Sequence, residues 1–115
     1  DDNSVIYTGT HDNDTLKHWF QSMGEEERNR IYRYLSRSHN DWNAMPELLI
    51  KTALASTSYL CIIPAADYLG LLSEGRINTP GTEMGNWQWR MKKDAFSEEK
   101  KRNMKDFLYC YGRTR

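Results

Sequence analysis

The sequence has no surplus of either charge. Its 16 lysines and arginines balance 16 aspartates and glutamates, for a formal net charge of zero. That balance argues against broad binding to nucleic acid or to an anionic membrane, which calls for a basic excess or stripe. No apolar run approaches the roughly eighteen residues of a membrane span, so no transmembrane helix is expected. Cysteine is scarce: Cys61 and Cys110 sit in apolar surroundings without C-x-x-C spacing. They read as buried, reduced thiols of a cytosolic protein, with a single disulfide between them as the alternative. The three histidines, spread from His11 to His39, are too few for a zinc site. An EF-hand loop opening at Asp12 would need glycine and glutamate where Lys17 and Met23 stand. P-loop, G-x-S-x-G and G-x-G-x-x-G patterns are missing too, so neither metal nor cofactor is expected. The chain begins Asp1-Asp2-Asn3, without methionine or a charged-then-apolar leader, and is expected to be a piece of something longer.

What is present is aromatic. Four tryptophans, seven tyrosines and three phenylalanines enrich a chain of 115 residues that is only 38% hydrophobic, with a mean hydropathy of −0.85. That length suits one domain. Val5-Ile6-Tyr7-Thr8, stopped by Gly9, reads as a strand. The polar cluster Thr10 to Thr15 then leads into a helix capped by Asp14 or Thr15. Glu25-Glu26-Glu27 opens a second helix whose apolar face is Ile31, Tyr34 and Leu35. Residues 38–43 read as a loop, and Pro46 starts a third helix carrying Leu48, Leu49, Ala53 and Leu54. Tyr59-Leu60-Cys61-Ile62-Ile63 reads as a strand buried on both faces. A loop-rich stretch from Ala65 to Gly85 holds one short helix near Asp67 to Leu71. The last helix starts at Ser97, stripes Met104, Phe107, Leu108 and Tyr111, and stops at Gly112. This order is that of an α/β unit with parallel strands. Two strands make no stable parallel sheet alone, so their apolar faces call for neighbours beyond this chain.

Three clusters carry candidate chemistry. His11-Asp12, on the loop after the first strand, occupies the position where α/β barrels place active-site residues; the plainer reading is a capped turn. Arg76 and Asn78, after the second strand, suit a polar ligand, or else a proline-glycine turn with Arg76 tied to Asp67 or Glu74. Trp87 and Trp89 suit a sugar-stacking platform or core packing.

Taken together these segments carry a resemblance. Ile6-Tyr7-Thr8-Gly9-Thr10-His11-Asp12-Asn13-Asp14-Thr15 closely resembles the Y-T-G-T-H-D-N-D-T motif of the 4-α-glucanotransferases, glycoside hydrolase family seventy-seven. Pro64 to Gly70, Ser73 to Thr82 and Gly85 to Arg90 are similar to further motifs of that family in the same order. Two positions depart from it: Ala66 stands where the family usually has glutamine, and Leu72 where it usually has glycine. The resemblance implies an α/β fold that is the C-terminal portion of a (β/α)8 barrel, with about two short parallel strands and mostly helix. Residues 1–115 would then be a single fragment: the last two βα units of the catalytic barrel plus a C-terminal helix.

By the same resemblance, Asp12 is the carboxylate that stabilises the distorted, oxocarbenium-like sugar, and His11 binds hydroxyls of that ring. Asn78 and Pro80 line the donor side. A retaining transfer also needs a nucleophilic carboxylate and an acid/base carboxyl about 5–5.5 Å apart, both expected upstream of this chain. The implied partners are maltodextrins and other α-1,4-glucans, with the remainder of the barrel and with neither nucleic acid nor membrane. The implied location is cytoplasmic. Two rivals stand beside this reading: a small carbohydrate-binding or scaffold module using Trp42, Trp87 and Trp89, and an α-glucan hydrolase of the same barrel.

Overall fold

The computed structural model describes residues 3–35 and 44–114, so the loop expected over 38–43, with Trp42 and His39, lies outside the described residues. The order is β1 (Val5–Tyr7), α1 (Leu16–Gln21), α2 (Glu25–Tyr34), α3 (Met45–Leu54), β2 (Leu60–Ile62), α4 (Ala65–Tyr68), a 3-10 turn (Ser73–Gly75) and α5 (Glu98–Cys110). The strands pair in parallel with Val5 opposite Leu60, Ile6 opposite Cys61 and Tyr7 opposite Ile62. A parallel pair needs a long crossover, and α1 to α3 supply it.

Local chemistry sets the helix ends. Thr15 caps α1, its hydroxyl accepting from the His18 amide, and Ser97 caps α5 in the same way through the Lys100 amide. Pro46 lies in the first turn of α3, where a missing N–H costs nothing. Gly112, at φ +67°, ends α5 in a left-handed turn. Its amide donates to the Tyr109 carbonyl and the Arg113 amide to the Leu108 carbonyl, a Schellman closure.

The centre of the packing is α3, which contacts α1, α4 and α5. One cluster joins Leu16, Ile50 and Leu54, with Cys61, Ile63, Tyr68, Phe107 and Leu108 around it. The other joins Phe20, Tyr32 and Met45, with Tyr32 edge-on to Phe20 at 5.5 Å between ring centres.

Several expectations are corrected here. In α2 the buried aromatic is Tyr32, whereas Tyr34 is 80% exposed. The second strand is not buried on both faces. Successive side chains alternate, and Val5, Tyr7, Leu60 and Ile62 share one face that is 46, 50, 46 and 39% exposed. The opposite face turns Cys61 onto the Leu16 cluster. The short helix begins at Ala65, ahead of its expected place, because Pro64 supplies its start. No residue of α5 is fully buried, although Phe107 and Leu108 pack on the core; Tyr111 stays exposed. Both cysteines are free, but Cys110 is exposed on α5 and only Cys61 is partly covered, which pushes its thiol pKa up. Trp87 is exposed too, so it is not packed as core.

Candidate active site

The loop after β1 is tied at both ends by one buried carboxylate. Asp67, at the start of α4 and 4% exposed, accepts the Thr8 hydroxyl at 2.9 Å through Oδ2 and the Leu16 amide at 2.9 Å through Oδ1. Thr8 precedes the loop and Leu16 follows it, so this side chain fixes the span between them. Burial pushes the Asp67 carboxyl above its ordinary range, against the two hydrogen bonds and with the help of the nearby Asp14 charge. Within the loop, Asn13 Oδ1 accepts from the Thr10 amide at 2.7 Å and the Thr10 hydroxyl at 3.0 Å. Asp14 accepts the Thr15 amide and contacts His18 Nδ1.

This framework presents His11 and Asp12, with side chains 52% and 49% exposed and His11 Nε2 3.3 Å from Asp12 Oδ2. The loop after the 3-10 turn comes to meet them. Asn78 Nδ2 donates to Asp12 Oδ1 at 2.7 Å, and the Asn78 amide donates to the His11 carbonyl at 3.0 Å. Three of the four expected site residues are therefore in direct contact. Pro80 is exposed in the turn beyond Asn78. That turn is held by Asn86, whose side chain accepts the Thr79 amide and donates to Thr82.

Arg76 is tied neither to Asp67 nor to Glu74. Its Nη2 donates to the Asp12 carbonyl at 2.9 Å, its Nε to the Asn78 carbonyl at 3.0 Å, and its Nη1 lies 3.9 Å from Asp14 Oδ2. Two of its N–H donors are thus engaged by backbone carbonyls of the protein. Trp87, at φ +60°, places its ring 5.0 Å from the His11 ring at 33°. Neither pairing was legible in the sequence, since each joins segments more than sixty residues apart. A groove of about 630 Å³ runs beside the site, lined among others by Tyr7, Ile62, Arg76 and Trp89. It joins the exposed strand face to the loops. The two departures noted above are absorbed locally. Leu72 keeps a negative φ of −86°, which leucine adopts without strain, and Ala66 is buried against Gly75. Among the described residues, no three His, Cys, Asp or Glu side chains converge as metal ligands, and no helix is long and apolar enough to cross a membrane.

What this arrangement offers is a partly solvated carboxylate and an imidazole beyond the carboxyl end of a parallel strand, where barrel folds bind substrate. The chain superposes on an amylomaltase from Streptococcus agalactiae, solved in complex with acarbose, with a TM-score of 0.91 and 32% identity, over 100% of this chain and 23% of that one. It is 42% identical to a chloroplastic/amyloplastic 4-alpha-glucanotransferase of Arabidopsis thaliana, over 96% of this chain and 19% of the relative. To a 4-alpha-glucanotransferase of Aquifex aeolicus it is 41% identical, over 98% of this chain and 23% of the relative. It thus spans about a fifth of the length of these relatives. The plant protein's plastid designation means that likeness to these proteins does not fix a cytoplasmic location. The sequence profile of the 4-alpha-glucanotransferases matches residues 1–96, the span that carries both loops and every side chain of the site, and the chain belongs to that family.

Proposed function

We propose that this chain is the C-terminal part of a (β/α)8 barrel enzyme, a 4-α-glucanotransferase that moves α-1,4-glucan segments between maltodextrins by retaining double displacement. The observation that carries this reading is the contact of Asn78 with Asp12, 2.7 Å long, which aims an otherwise solvated carboxylate from the end of β1. In the reaction, an upstream carboxylate attacks the anomeric carbon while an upstream acid protonates the departing glycosidic oxygen. An acceptor glucan hydroxyl then displaces the enzyme carboxylate as the same acid/base group takes its proton. Asp12 stabilises the positive charge that develops on the ring, and His11 binds hydroxyls of that ring. Such interactions strengthen in the transition state and therefore raise kcat. Asn78 and Pro80 line the donor side, and the groove leading past Trp89 suits a glucan chain. Transfer prevails over hydrolysis when the acceptor hydroxyl outcompetes water for the intermediate.

In the full-length protein, Asp12→Asn should lower disproportionation of maltotriose by at least about a hundredfold while leaving the circular dichroism spectrum unchanged. Near-normal turnover would remove Asp12 from the mechanism. The chain by itself lacks the nucleophile and acid/base and should form no longer maltodextrins from maltotriose; their appearance would sink that expectation. Exposed Trp87 favours one second reading, a carbohydrate-binding module. Tight, saturable quenching of tryptophan fluorescence by maltodextrin with the isolated chain would support it. An α-glucan hydrolase of the same barrel would instead give glucose and short products with no lengthened chains.

A further inference from the structure

We infer that Arg76 is the positioning residue of the site: it sets the Asp12 carboxylate by clamping the two loops on either side of the Asn78 contact. The inference rests on the glucanotransferase reading for its activity readout, though its geometry stands without it. Two loops without regular structure meet at Asp12 and Asn78. One guanidinium holds both: Nη2 donates to the Asp12 carbonyl at 2.9 Å and Nε to the Asn78 carbonyl at 3.0 Å. These are the carbonyls of the two residues whose side chains touch at 2.7 Å. The remaining face of the fork looks toward the Asp14 carboxylate at 3.9 Å, which is itself engaged by the Thr15 amide and His18. The Arg76 side chain is about three-quarters covered; its bond to the Asn78 carbonyl is partly buried and its bond to the Asp12 carbonyl is exposed.

Only a guanidinium suits this place. It offers N–H donors in fixed, divergent directions and remains charged, whereas a lysine ammonium is a point charge on a flexible stem. Without the clamp, the Asn78 amide still donates to the His11 carbonyl and the Asn13 amide to the Thr10 carbonyl, so the Asp12–Asn13 peptide keeps its tie within its own loop but loses its tie to the Arg76–Asn78 segment. A shift of about 1 Å in a group that must meet a developing charge costs about a hundredfold in rate. Arg76 acts here through the two carbonyls it holds, Nε and Nη2 each donating to the protein.

The test compares wild type, Arg76→Ala and Arg76→Lys in the full-length protein, by steady-state maltotriose disproportionation and by crystal structure. Arg76→Ala should lose about a hundredfold in kcat with KM within about threefold, and Arg76→Lys should recover part of the loss. In the crystal structure of Arg76→Ala, the Asn78–Asp12 contact should be broken while Asp67 keeps Thr8 and the Leu16 amide. Wild-type kcat in Arg76→Ala, or an intact Asn78–Asp12 contact in its crystal structure, overturns the inference. If the alanine variant does not fold, Arg76→Lys decides: wild-type kcat there overturns it equally. If the wild-type protein transfers no glucan, the functional reading fails, and the crystal structures alone judge Arg76.

Discussion

At the scale of single residues, Asp67 ties both ends of the loop that carries His11 and Asp12. It is a carboxyl 4% exposed whose two hydrogen bonds do not fully offset its desolvation, so its folded pKa lies above its unfolded one. The native state therefore holds the proton more tightly. Stability from this group is fully present below the unfolded value, about 3.9, and is lost as pH rises through the raised folded value. Asp67→Asn keeps an oxygen for the Leu16 amide and offers an amide N–H to the Thr8 hydroxyl, and it cannot ionise. Thermal unfolding of both full-length proteins from about pH 4 to about pH 7 should show wild type losing ground to the variant as pH rises. Parallel curves would refute it. Asp67→Ala, by contrast, strands the Leu16 amide and should cost roughly 1–3 kcal/mol at any pH.

At the scale of elements, the end of α5 is fastened to the end of α3. Arg113 donates from Nε to the Leu54 carbonyl at 2.9 Å, from Nη2 to Ser56 at 3.1 Å and from Nη1 to Tyr59 at 3.4 Å, a cation over the negative end of α3. Arg113→Ala should lower the unfolding free energy by about 1–3 kcal/mol, and Gly112→Ala by about 1–2 kcal/mol for placing a Cβ in the left-handed turn that aims Arg113. Urea titration checks both, and an unchanged midpoint in either removes that contribution. The sequence made Gly112, Ser97, Thr15 and Pro46 legible because capping is local: the cap and its partner lie within four residues. Arg113 was illegible because its acceptors are backbone carbonyls 54 to 59 residues away. Tyr32 was missed in favour of Tyr34 for a related reason. The helix Glu25–Tyr34 is charged around most of its circumference, and it is packing against Phe20 and Met45 across the interface that marks Tyr32 as the buried tyrosine. In the site, the His11-Asp12 pair and Asn78 were legible through a motif, whereas the Arg76 and Asp67 bonds that orient them cross between segments.

At the scale of the whole molecule, the apolar run Tyr59–Ile63 signalled a strand, but not burial on both faces, since this chain covers only one side of it. In the proposed barrel the face bearing Val5, Tyr7, Leu60 and Ile62 points inward, where layers of side chains fill the centre. Ile62→Asp should then cost the full-length protein several kcal/mol, enough to abolish soluble expression, by placing a carboxylate in a closed interior. Tyr34→Asp, at a site 80% exposed, should stay within about 0.5 kcal/mol. Soluble, stable Ile62→Asp protein would disprove the inward orientation of that face. The contact between Asn78 and Asp12 spans 66 residues of chain, and it has a consequence in time. Helices such as α2 and α5 close over neighbouring residues and form early, whereas a pairing this distant in sequence must await closure of the intervening loop. The carboxylate and its amide partner are therefore expected to meet late in folding and, on warming, to part early. In the full-length protein, transfer of glucan should accordingly fade on warming before the helical signal does.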